Sequence, residues 1–511
     1  FLSLFATNMT AFAILGSSGQ SYRQGIGIYG LMASSSCFVI PMTIFFIGTR
    51  LWALGKKFGH QTQVSYFRDR WECNHIGTVI FALSAAMLVP YMIISIMGGG
   101  TVLADISTSS ETHRPLIPYA AGCAIVAAVV TVNVFFGGMR GTVWVNIFQT
   151  ILFLCFGAVA VAVISHALPG GFGEYVKKIM DDPAKHTLLT REKMPPQFFW
   201  SYTLIPLSSI MFPHMAIMCF SAKKVTAFKR TVVLYPLAIM AIWLPCVFLG
   251  VLGTVTLTGK IDPDGVLLRM LDTYAPVWLA GILGAGIISA VMGSDAHQVL
   301  ALSTMFTKDI FAHYGGKDNF GERGAVYFAR GFILVVTVIA YLVALELKAK
   351  QGIFEIAIRY AFSGFAAMAP VMVAALFWKR STKWGALAAT LFVAISLVGF
   401  ASLQGKPAAP PVAPKLDATA VTKPTPPAKP KEDIIWKIGD GPDAIKILSR
   451  SPATGDVRFM NNYMTVVPMV VGSAFFMVLF SLLTRPPSQQ TIDRYFDRTN
   501  TSAQRPVATQ A

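Results

Sequence analysis

The chain has 511 residues, of which 54% are hydrophobic and only 13% charged, with a mean hydropathy of +0.58 and a formal net charge of +17. Soluble domains carry about a quarter charged residues, so these values exclude a soluble globular protein and assign most of the chain to lipid. The positive charge is spread through short segments between apolar runs, which speaks for membrane topology and against a nucleic-acid partner.

A membrane-spanning helix takes about 20 apolar residues. Twelve runs of that kind lie near 1–18, 27–54, 76–104, 116–137, 142–167, 197–220, 231–258, 276–312, 324–347, 353–378, 384–404 and 463–484. Two are interrupted. Gly16-Ser17-Ser18-Gly19 closes the first, and Ser208-Ser209 through Pro213-His214 lies inside the sixth. Hydrocarbon tolerates freed backbone amides and carbonyls only where they line a cavity or are buried in protein. Broken helices in corresponding places of two halves mark a secondary transporter's binding site. The expected fold is therefore an all-α polytopic membrane protein. It has a five-plus-five inverted repeat with broken helices 1 and 6, plus two C-terminal helices.

With Phe1 on the cytoplasmic side, the short inside segments hold Lys56, Lys57, Arg68 and Arg70; Arg140; Lys223, Lys224, Lys229 and Arg230; and Lys379, Arg380 and Lys383. Basic residues in short loops beside spans set orientation. This predicts a multi-pass protein of the plasma membrane, or the inner membrane of a bacterium, with lipid as its surroundings. Residues 1–404 form a core of spans 1–11, followed by an external loop (405–462), a final span (463–484) and a cytoplasmic tail (485–511). Segment 62–73 reads as a short cytoplasmic helix. Proline- and lysine-rich 405–433 favours extended polyproline conformations and no core.

The six cysteines show no paired spacing for a disulfide framework or a zinc site. Gly25-x-Gly27-x-x-Gly30 copies a dinucleotide-binding spacing but opens an apolar span, so it fails its context; small residues there suit close helix packing. With no i, i+4 histidine pair and no G-x-S-x-G elbow, an enzyme is not expected.

Four stretches carry a resemblance: SLFATNMTAFAILGSSGQSYRQG (3–25), WALGKKFGHQTQVSYFRDR (52–70), GGMRGTVWVNIFQ (137–149), and FPHMAIMCFSAKK (212–224) with SAVMGSDAHQVLALSTMFTKDIF (289–311). In this order the chain resembles the sodium:solute symporter family, from Phe1 to about Arg380. The resemblance implies a leucine-transporter-type fold and an additional helix ahead of Phe1. It also implies sodium-coupled symport of a small organic solute by alternating access.

It further implies one sodium site. Ala6, Met9 and Ala290 supply carbonyls, and hydroxyls belong at two adjacent positions that are here Gly293 and Ser294. The chain departs from the family at Gly293, where members have serine, and at Asn146, where they have aspartate. A water or the Asp295 carboxylate is a candidate fifth ligand. A carrier of the same fold coupled to protons, with Asp295 or His297 as the titrating group, or uncoupled, is the competing reading. Asp295 also reads as a paired carboxylate, and Ser294 as a hydroxyl bonded back to its own helix.

The solute is expected beside both breaks, at Asn8, Thr10 and Phe12 on the first and Ser208, Ser209 and His214 on the second. Apolar Phe12 and Ala13 speak against a sugar and for an amino acid or a monocarboxylate. Asn8 also reads as a helix–helix hydrogen bond, His214 as a structural histidine, and Glu355 with Arg359 as an intrahelical ion pair. A membrane sensor is a remote alternative, because no kinase or receiver sequence follows Arg485.

Overall fold

The computed structural model describes residues 2–108, 114–259, 261–348, 351–405, 433–439, 445–451, 455–460 and 462–496. Among them, ten helices are long and apolar enough to cross a bilayer. They are spans 2 (Gly27–Phe58), 3 (Asn74–Ile106), 4 (Tyr119–Met139), 5 (Gly141–Ala167), 7 (Thr226–Thr256), 8 (Val277–Phe311), 9 (Asp318–Leu347), 10 (Ile353–Phe377), 11 (Lys383–Ser402) and 12 (Val466–Leu483). Two broken spans complete the set. Span 1 runs as Leu2–Asn8, Phe12–Gly16 and Ser17–Gln24; span 6 runs as Pro196–Met211 and Pro213–Ser221. By length and composition eleven of the twelve runs qualify as spans, counting bent span 6 as one, while the first run forms shorter helical pieces. Residues such as Phe136, Trp144, Phe148 and Leu483 remain largely exposed, as expected where lipid is the solvent.

Spans 1 and 6 lie at the centre. The first half of span 1 packs on spans 5 and 8, and its second half on spans 2 and 7. The outer half of span 6 packs on spans 2 and 10, and its inner half on spans 2 and 8 and on the first half of span 1. Spans 11 and 12 pair with each other beside span 10. Gly25 turns the chain between spans 1 and 2 at φ +93°, where a Cβ would fall 2.1 Å from the Leu188 carbonyl oxygen. The small residues there serve a turn and close packing.

Segment 62–73 does hold a helix, Gln63–Arg70, capped by the Thr62 hydroxyl, which accepts from Ser65 N. The tail helix Gln489–Phe496 rests on it: the Tyr495 hydroxyl donates to Asp69 at 2.6 Å and Arg494 pairs with the same carboxylate at 3.1 Å.

The stretch between spans 11 and 12 is more structured than an extended loop. Strands β1 (Asp433–Ile438), β2 (Ile445–Arg450), β3 (Val457–Phe459) and β4 (Tyr463–Met464) form an antiparallel sheet in that order. The sheet touches two spans at once. Arg458 lies over the Phe198 ring at 4.1 Å, Met464 N donates to Ser201 Oγ at 3.1 Å, and Asp456 pairs with Arg359 of span 10. Most of the proline-rich 405–433 lies outside the described residues.

Candidate functional site

The first break lies at Met9-Thr10, earlier than the sequence suggested. Gly16-Ser17-Ser18-Gly19 is helical and buried, and the Ser17 and Ser18 hydroxyls donate to Ala13 and Leu15 carbonyls of their own helix at 2.7 and 3.2 Å. Thr10 stabilises the break by accepting from Phe12 N at 3.2 Å, while the Ala6 carbonyl takes Met9 N at 3.1 Å. The second break falls where expected. There Phe212 is extended at ψ 123° between Met211 and Pro213, and the two halves bend by 52°. The Met211 carbonyl at the break accepts from buried Gln63 of the helix Gln63–Arg70 at 3.1 Å, so a side chain replaces the lost helical donor.

Span 8, which carries Ala290, Gly293 and Ser294, packs on the first half of span 1, which carries Ala6 and ends beside Met9 in sequence. The contact across this seam is Ser294 Oγ donating to the Thr7 carbonyl at 3.2 Å, with Gln298 Nε2 donating to Ser294 Oγ at 3.1 Å. A Cβ at Gly293 would fall 2.2 Å from Gln149 Oε1 and 2.5 Å from Asn146 Oδ1 of span 5. Two amide oxygens therefore occupy the space a serine side chain would need. Both are buried and without a hydrogen-bond partner among the described residues, as is Asp295 Oδ1. Unpaired buried oxygens are costly, and oxygens are the ligands a hard cation takes. His297, one turn along, places Nδ1 2.8 Å from the Asn146 side-chain amide and 3.2 Å from the Gly293 carbonyl oxygen.

The solute candidates divide. Asn8 donates to the buried Tyr235 hydroxyl at 2.6 Å, a helix–helix bond. Phe12 stacks on Phe354 at 5.2 Å and meets Phe362 edge-on at 4.9 Å. Phe362 in turn meets Tyr91 and Phe212, and His214 stacks on Phe212 at 5.2 Å. Phe12 and His214 are thus joined through one aromatic cluster between the two breaks, with Thr10 beside the first break. Ser209 turns to Thr43 of span 2 at 3.4 Å, and Ser208 is buried in the same outer half. Sequence reading missed Tyr91, Tyr235 and Phe362, which come from three other spans and carry no spacing signal.

A cavity of about 430 Å³ is lined by His214 and His297 and by exposed Lys56, Gly59 and Lys308. The outer side is closed. Arg23 of span 1 pairs with buried Glu355 of span 10 at 2.7 Å, and Asp264 accepts from Ile353 N at 3.0 Å while lying against Gly19. Both Glu355 and Arg359 therefore find partners on other elements. The cavity and the Arg23–Glu355 pair thus lie toward opposite ends of the spans.

Burial, reinforced by the Glu355 charge, pushes the Asp264 carboxyl up to about 7. The closed form then holds a proton that a solvated Asp264 would release near 4, the ordinary carboxyl range. Closure is favoured at low pH and loses that advantage as external pH rises through about 7. Outward opening, followed by labelling of an outer-face cysteine, should increase between pH 5 and 8 in the native chain and become flat in Asp264→Asn. A native-like pH response in that variant would refute the assignment.

The fold and this paired-break centre define a polytopic membrane carrier. The sodium:solute symporter family profile matches residues 1–392, and the chain belongs to that family. It is 25% identical over 321 residues to the Bacillus subtilis uncharacterized symporter YhjB, covering 61% of this chain and 62% of that protein, less than two thirds of its length. It is 24% identical to the Haemophilus influenzae sodium/pantothenate symporter (76% of this chain, 78% of that one) and 23% identical to the Bacillus subtilis high-affinity proline transporter PutP (78% and 83%). Its fold is similar to that of a substrate-bound, outward-open Na+-coupled sialic acid symporter, with a TM-score of 0.66 at 13% identity over 96% of this chain and 90% of that one.

Proposed function

We propose that this protein is a secondary active transporter that couples inward movement of sodium to uptake of a small organic solute, an amino acid or a monocarboxylate. Spans 1–5 and 6–10 act as two inverted halves around the breaks. The observation that carries this reading is the Ser294–Thr7 seam, where span 8 meets an unwound helix end beside two partnerless amide oxygens. Ala6, Met9, Ala290 and Ser294 offer the ion oxygens, with Asn146 and Gln149 standing where the side chain of residue 293 is missing. Sodium coupling is supported by family membership and by relatives that are sodium/pantothenate and sodium/proline symporters.

The driving force suffices. One charge crossing about 100 mV releases about 2.3 kcal/mol, enough for roughly fifty-fold accumulation.

Uptake in proteoliposomes under an imposed sodium gradient, compared with an imposed proton gradient, tests the coupling. Proton-only uptake would transfer the role to buried Asp295 or His297. Ser294→Ala removes a hydroxyl ligand and should raise the sodium concentration for half-maximal uptake about tenfold, the effect of one lost hydrogen-bond-strength contact. Unchanged sodium dependence would take Ser294 out of the site.

A further inference from the structure

Helix Gln63–Arg70 touches three spans at one end of the bundle. Its capping residue Thr62 donates to buried Asp309 of span 8 at 2.7 Å, and Arg68 donates to the Asp309 carbonyl at 2.8 Å. Gln63 holds the Met211 carbonyl at the break in span 6. Arg70 is fully buried and donates to the Ala375 carbonyl of span 10 at 3.0 Å. Just past that span it also donates to the Trp378 carbonyl and the Ser381 hydroxyl, both at 3.1 Å. Spans 6, 8 and 10 therefore cannot shift against one another here without breaking a contact of this strut.

The tail helix Gln489–Phe496 seats on the same strut. Its Tyr495 and Thr491 are buried. The Tyr495 hydroxyl donates to Asp69 at 2.6 Å and lies 2.9 Å from Nε2 of His60, a residue of the cavity wall. The Tyr495 ring packs on Phe58 at 4.9 Å, and the Phe496 ring covers the Arg70 guanidinium at 4.9 Å. Ser488 and Thr491 both donate to Glu72. Glu72 stands at φ +49° in the corner between the strut and span 3. A non-glycine residue persists there only where its surroundings over-determine it, and two tail hydroxyls are among those surroundings.

An eight-residue helix is marginal by itself in water, so this one owes its existence to its seat. Its Arg494–Asp69 pair is partly exposed, at 47% and 32%, and such pairs are weakened by salt. The tail follows span 12 after only Thr484–Ser488, which makes reseating intramolecular and favours it by effective concentration. The element thus has two states, seated and folded or released and unfolded.

We propose that the tail helix is a regulatory latch on the carrier's conformational change. Seated, it holds the Gln63–Arg70 strut, the Glu72 corner and His60 in the arrangement described; released, it frees spans 6, 8 and 10 to move against one another. Its consequence for uptake rests on the transport reading, so the test uses neither solute nor gradient.

Hydrogen exchange on the purified full chain would follow the tail and the strut together. Tyr495→Ala alters the tail alone, and residues 489–496 should exchange about tenfold faster, the effect of losing a charge-assisted hydrogen bond and its ring packing. Residues 63–73 carry no substitution and should nevertheless exchange about threefold faster. A Gln20→Cys thiol, buried in span 1 at the opposite end, should react about threefold faster with an impermeant maleimide once the latch is released. If Tyr495→Ala does not insert, Gln20→Cys protein moved from about 0.05 to 0.5 M salt should show the same three changes in the same order. A faster tail with an unchanged strut and unchanged Gln20→Cys labelling would reduce the contact to surface packing and overturn the proposal. So would a tail whose exchange ignores both perturbations. Failure of gradient-driven uptake, with tail and strut still responding together, would strike the symport reading and leave the latch standing.

Discussion

Gly98→Val should all but abolish uptake. A Cβ at residue 98 would lie 2.4 Å from the Ala11 Cβ, immediately after the break in span 1. Neither atom can rotate away, so either span 3 or the restarted helix has to shift. The two following glycines are equally confined: a Cβ at Gly99 would meet Val126 at 2.6 Å and one at Gly100 would meet Cys123 Sγ at 2.3 Å. Small residues here let backbones approach, which is how helices pack in lipid. Overpacking costs about 1–3 kcal/mol, and at this place the strain falls on Met9, Thr10 and Phe12. Uptake per unit of membrane-inserted protein should fall about tenfold or more, as that energy implies. Gly399→Val is the matched control, since nothing stands within 4 Å of its Cβ. Equal uptake by the two variants would show that the close approach is not required.

Glu355→Ala should open the outer face. Glu355 is 7% exposed and Arg23 38% exposed. The pair is half-solvated, so removing one partner costs less than the loss expected for a fully buried pair, about 1–2 kcal/mol. That is roughly a tenfold shift in a two-state equilibrium. Gln20, buried at the outer end of span 1 near Glu355, is the reporter: a Gln20→Cys thiol should react about tenfold faster with an impermeant maleimide when Glu355 is alanine, in line with that shift. Exchanging the charges, Arg23→Glu with Glu355→Arg, should restore slow labelling. Labelling rates that ignore both changes would mean that closure rests on other contacts.

Most of the spans were legible because lipid demands long apolar runs, and the second break was legible because Pro213 cannot continue the ladder. The first break was misplaced for a physical reason. Gly16 and Gly19 permit close packing, yet the Ser17 and Ser18 hydroxyls bond within the helix and keep it intact. The real break, at Met9-Thr10, has neither glycine nor proline and is held by the Thr10 hydroxyl and by Ser294 from another span. Such a break is written in tertiary contacts rather than in local propensity. The same holds for Asn146, whose departure from the resembling pattern is visible in the chain but whose bond to His297 is not. Glu355 and Arg359 were read as an i, i+4 pair; instead each reaches a distant partner, Arg23 and Asp456.

The small sheet before span 12 has a mechanical consequence. It grips the outer half of span 6 through Phe198 and Ser201 and span 10 through Arg359. It therefore acts as a clasp across a seam: those two walls can part toward the outside only if one grip lets go, or if the whole clasp rides with one wall. Any separation of those walls therefore works against the Arg458–Phe198, Met464–Ser201 and Asp456–Arg359 contacts together.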